Sequence, residues 1–139
     1  MVLRCATVVL AAALLSTAAG DDAPPESLLR ENVHKATAIM RGKIESSDAP
    51  RPGVTVAHFR VSFSYRGSFK PGEEVDYASF KENDRYPDRL LHTEMVVFLR
   101  HRRASYAPPK WETATDLSEF LFNPELDAML SSALGRAHQ

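Results

Sequence analysis

Imidazole is the commonest metal ligand and the commonest general base, so the five histidines come first,. They stand at His34, His58, His92, His101 and His138. No two are spaced to bring both rings onto one helical or strand face, and no acid recurs beside them in a ligand pattern. The spacing gives surface and loop histidines, and an enzyme or metal site assembled from distant residues would begin with His58 and His92. Residues 82–88 offer calcium-type oxygens at Glu82, Asn83, Asp84 and Asp88,. They lack the glycine-bearing twelve-residue pattern, and Arg85 competes with a cation, so the stretch reads as a solvated loop,. There is no Gly-x-Ser-x-Gly turn, no Ser-x-x-Lys and no glycine-rich phosphate loop,. Neighbouring acids such as Glu73 and Glu74 would point to opposite faces of a strand,. The sequence therefore nominates no catalytic residue, no metal and no cofactor.

The most distinctive polar feature is basic. Arg100, Arg102 and Arg103 cluster after an apolar run, and Arg60 and Arg66 lie on one face of an earlier strand. Brought together, these five arginines would form a binding patch for a polyanion or an acidic protein surface. The same arginines would also serve to keep an apolar strand from pairing with other chains. Aromatic residues do not interleave the cluster as a nucleic-acid stacking platform requires,. The net charge of the whole chain is −1, which supplies no global basic field for nucleic acid,.

Patterning gives the strands and helices that carry these residues. Phe59, Val61, Phe63 and Tyr65 alternate with Arg60, Ser62, Ser64 and Arg66, the period of a strand buried on one side,. That assigns Phe59, Val61 and Phe63 to the core. Val54 and Val56 alternate with the opposite parity, which predicts a β-bulge near Ala57 and His58,. Residues 35–44 read as a preceding strand with a close backbone approach at Gly42, and residues 45–53 as a surface loop rich in Ser, Asp and Pro,. Pro71 and Gly72 make a turn into a third strand over residues 74–80,. The run at 95–100 is apolar without alternation, as in a strand buried on both faces,. A fifth strand is expected at 111–115. Residues 27–34 fit a short helix bearing Leu28, Leu29 and Val33,. A second helix begins at Asn123 as cap, with Pro124 in its first turn, presents Leu126, Met129, Leu130 and Leu134, and stops at Gly135,.

At the start of the chain, Arg4, an apolar run and the small residues Ser16 to Gly20 form the pattern of a secretory signal peptide over residues 1–20,. Cleavage there predicts a mature protein of 119 residues, beginning with a flexible lead-in at 21–26 and continuing as one domain over 27–135,. Removing Arg4 makes its charge −2, and it has no transmembrane segment,. The expected location is secreted or periplasmic. The only cysteine, Cys5, lies in the leader, so the mature chain has no disulfide framework,.

The segments Ala36 to Ile44 with Gly42, Val61 to Gly67 and Glu94 to Leu99 together resemble the netrin-like, or tissue-inhibitor-of-metalloproteinase-like, modules of exported proteins. The resemblance implies a mainly β fold, a small five-stranded OB-like Greek-key barrel with a short N-terminal helix and a C-terminal helix. The signal-peptide pattern, the strand pattern and the lack of assembled catalytic spacing together predict an exported, non-enzymatic module acting by protein or ligand contact. Inhibitors of that family reach a protease zinc through an amino-terminal cysteine, which this mature chain lacks, so the inhibitory mechanism is not implied.

Overall fold

The computed structural model of the chain describes residues 24–79, 86–103 and 108–135. The leader, residues 82–85 of the expected calcium-like loop, and His138 lie outside the described residues. Over the described residues the fold is mainly β, with six strands in one mixed sheet, one helix before them and one after. In order these are α1 (Glu26–Lys35), β1 (Ala38–Arg51), β2 (Val54–Arg66), β3 (Glu74–Ser79), a 3₁₀ turn (Asp88–Leu90), β4 (Glu94–His101), β5 (Trp111–Thr113), β6 (Glu119–Leu121) and α2 (Pro124–Ala133).

β1 pairs with β2 on one side and β4 on the other, so five strands close a ring in the order β1, β2, β3, β5, β4. Among these ladders only the pairing of β3 with β5 is parallel. β6 joins β4 beside β5. Inside the ring pack Met40, Ile44, Phe59, Val61, Tyr77, Val97 and Leu99, among others. On its outside, Ile39, Val96 and Phe98 are covered by Leu29 of α1 and by Leu126 and Leu130 of α2. β4 serves both cores, which is why its sequence is a continuous apolar run rather than an alternating one,. Among the described residues no helix is long and apolar enough to cross a membrane.

Gly42 lies where β1 and β2 cross most closely. A Cβ built there would stand 2.0 Å from the Arg60 carbonyl oxygen and 2.8 Å from the Phe59 ring, so only glycine fits,. α2 begins as its sequence requires, with the Asn123 side chain accepting from the Leu126 N–H at 2.8 Å,. α1 is tied down by Asn32, a buried amide that donates to the Leu117 carbonyl at 2.8 Å and accepts from the Ser118 hydroxyl at 2.7 Å.

Four sequence expectations are corrected. Residues 45–51 are not loop: β1 runs on to Arg51, and Pro52 and Gly53, the latter at φ 78°, turn the chain directly into β2. The polar side chains there face solvent on an arm held by its ladder to β2 rather than by a core. The bulge opposite His58 sits on the partner strand, where Glu45 is the extra residue between Ile44 paired with Phe59 and Ser46 paired with His58. β2 carries its own extra residues at Ser62 and Tyr65. The Ser62 bulge reverses the parity of the strand beyond it, so Phe63 leaves the core and is 43% exposed,. The fourth correction is β6, which the sequence pattern did not announce because its three residues are half-buried.

Candidate functional site

Four of the five arginines are engaged with carboxylates or backbone carbonyls. Arg60 grips Glu45 at two points, Nε to Oε2 at 3.1 Å and Nη2 to Oε1 at 3.0 Å, and donates from Nη1 to the Gly72 carbonyl at 2.7 Å. That hydrogen-bonded contact holds the Glu45 carboxyl below its usual range and raises the guanidinium,. Arg66 donates to the carbonyls of Val33 and Ala36 at 2.6 and 2.8 Å, closing the carbonyl end of α1,. Arg100 bonds Glu112 of β5 at 2.8 Å, and Arg102, with its side chain only 6% exposed, lies 3.5 Å from the other oxygen of the same carboxylate. Arg103 is exposed. Four of the five thus hold the fold together, a role that a run of like charges in sequence does not reveal.

His58 sits between two carboxylates supplied by the neighbouring strands. Nε2 meets Asp48 of β1 at 2.7 Å and Nδ1 meets Asp76 of β3 at 2.8 Å. The hydrogen bond to Asp48, followed by that to Asp76, raises the imidazole above its ordinary 6.5,. With both nitrogens engaged, the ring works as a clamp across three strands. His92 takes φ 64° in the turn before β4, where its backbone N–H donates to the Ile44 carbonyl at 2.8 Å. Among the described residues no three His, Asp or Glu side chains are arranged to hold a metal.

Inside the ring, the Tyr77 and Tyr86 hydroxyls both donate to one oxygen of Glu119, which reaches across from β6. Burial foremost, then the Glu119 charge, pushes both phenols well above their ordinary range, so they stay neutral,. This cluster joins β3 to β6 where they share no ladder.

The surface with the composition of a contact site is outside the ring, where the Ser62 bulge has delivered Phe63. The Arg41 guanidinium carbon lies 4.5 Å from the Phe122 ring centre and 5.7 Å from that of Phe63,. Glu94 pairs with it by charge, 3.1 Å from Arg41 Nε but without hydrogen-bond geometry, and accepts from the Ser62 hydroxyl at 2.7 Å. Tyr65 stands edge-on to Phe63 at 5.0 Å and donates to Asp127 of α2 at 2.6 Å. A planar cation held between aromatic rings, one of them open to solvent, has the residue types that dominate binding energy at protein interfaces. Sequence reasoning missed it because alternation within β2 placed Phe63 inward. The signal that would have found it is the bulge, visible only once β1 is laid alongside.

No protein-family model matches the sequence, and no curated protein does.

Proposed function

We propose that the chain is an exported, non-enzymatic module that acts by protein contact, through the outer surface formed by Arg41, Phe63 and Phe122. The ring order β1, β2, β3, β5, β4 with parallel β3 and β5 supports reading it as a five-stranded OB-type Greek-key barrel of the netrin-like kind,. The signal-peptide pattern of residues 1–20 supports export,. The observation that carries the contact reading is the exposure of Phe63 beside a guanidinium that packs against the Phe122 ring and is ion-paired with Glu94. Ordering that arginine in advance lowers the entropy cost of binding. The arginine run 100–103 enters this reading as fold support rather than as a polyanion site, given the Glu112 pairing.

Capture from extracellular or envelope material tests the reading, using the exported chain and its Phe63→Asp variant. The wild type should retain a partner that the variant loses. Equal recovery by both would contradict it. Intact mass of the exported chain should begin near Asp21, and a retained Met1 would contradict export with cleavage.

A further inference from the structure

A second surface lies where β3 and β5 part. The two strands are paired only at Tyr77 with Trp111 and Ala78 with Glu112. Upstream on the β5 side come Pro109 and Pro108, whose nitrogens carry no hydrogen, so the ladder cannot be continued toward Glu74,. The strands separate there and leave an open cleft of about 380 Å³. Its apolar corner is made by Phe69 and Trp111, with ring centres 5.5 Å apart and planes at 66°. His101 stacks on Trp111 at 4.1 Å and fixes the indole.

The rim of this corner is acidic. Glu73, Glu74 and Asp76 line it, opposed by Lys110. Behind them, Arg60 is engaged mainly with Glu45 and stands 3.9 Å from Glu74, while His58 is shared between Asp48 and Asp76. Of the charged residues lining the cleft, Glu73, Glu74 and Asp76 are carboxylates and Lys110 is the one cation. The backbone adds direction. Val61 exchanges hydrogen bonds with Gly72 and Glu73, so strand alternation turns the N–H and C=O of Glu74 away from β2 and into the cleft,.

We propose that this cleft binds an extended peptide segment of a partner, taking one lysine or arginine side chain into the Phe69 and Trp111 corner. The aromatic corner takes up the aliphatic stem of the side chain, and carboxylates at the rim complement the charge at its tip. The backbone of Glu74 supplies strand-type hydrogen bonds to the segment. The site is separate from the Arg41 and Phe63 surface and stands or falls independently of it.

Trp111 is the only tryptophan, so its emission reports on this cleft alone. The protein is titrated with a capped Ala-Lys-Ala-Lys-Ala peptide and with the same peptide carrying norleucine for lysine. The lysine peptide should give a saturable change that weakens as salt rises, and the norleucine peptide none. The double variant Glu73→Gln, Glu74→Gln should bind roughly tenfold more weakly, the size expected for two exposed ion pairs. Glu125→Gln on α2 should bind like wild type, which separates the cleft from a general attraction to acidic protein. Urea midpoints of the variants, checked against wild type, assign any loss to binding rather than unfolding. The proposal is overturned by an equal response to the norleucine peptide, by no response at millimolar lysine peptide, or by undiminished binding in the double variant.

Discussion

Arg41 and Phe63 are partners across the β1 and β2 ladder, and their side chains meet outside the ring with the guanidinium carbon 5.7 Å from the phenyl centre. Two residues earlier on the same strand, Val61 points inward and is buried. The single extra residue Ser62 separates the two orientations,. A residue that would otherwise fill the core is thereby presented to solvent beside an ion-paired cation.

That placement divides two phenylalanines four residues apart. Phe59 is fully buried against Tyr77, at 6.2 Å between ring centres, and its replacement by alanine should cost about 3 to 5 kcal/mol,. Phe63→Ala removes a half-exposed ring and should cost about 1 kcal/mol,. Urea melts of the two variants compare them directly, and equal losses would return Phe63 to the core.

The His58 clamp makes stability depend on pH in a defined direction. Its pKa is raised in the folded protein, so the folded state holds the proton more tightly than the unfolded state does,. The stabilisation is complete below the ordinary value near 6.5 and is lost as pH rises through the raised value,. Wild type should lose stability as pH rises above about 6.5 and through the raised value, and His58→Gln should flatten that slope,. Asp48→Asn should reduce it in part, since Asp76 remains. Identical slopes in wild type and His58→Gln, followed by chemical denaturation at several pH values, would contradict the clamp.

Arg102 and Arg103 are neighbours in sequence with opposite roles in the fold. Arg102→Glu sets a second carboxylate against Glu112 at a site where the side chain is 6% exposed, and should cost about 3 kcal/mol,. Arg103→Glu, at an exposed position, should change stability by less than about 0.5 kcal/mol,. Thermal or urea unfolding of each single variant separates them, and a small loss at Arg102 would show that its charge is free to serve a partner.

The features legible in the sequence were those that a single segment decides alone. The unbroken run of β4 announced burial on two faces, Asn123 with Pro124 announced the start of α2, and Gly42 announced a close approach that the Arg60 carbonyl now explains. The features that were not legible depend on a partner strand. The arm of β1 from Glu45 to Arg51 has no apolar pattern because it is held by backbone pairing with β2, so Ser46, Asp48 and Pro50 read as loop. The bulges at Glu45 and Ser62 are mismatches between two strands and leave no mark in either. The ion pairs of Arg60, Arg100 and Arg102 are not legible because their partners, Glu45 and Glu112, lie 15 and 10 to 12 residues away. His58 looked unpartnered for the same reason, since Asp48 and Asp76 reach it only through the registers of β1 and β3.

The contact role of the Arg41, Phe63 and Phe122 surface is tested most directly by a photo-crosslinking amino acid placed at position 63 of the exported protein, with a matched probe at exposed Ala128 on α2. Irradiation in native extracellular or envelope material should give a discrete adduct from position 63 that is absent from position 128 and abolished by Arg41→Ala. No adduct at 63, or the same adducts from both positions, would contradict the account.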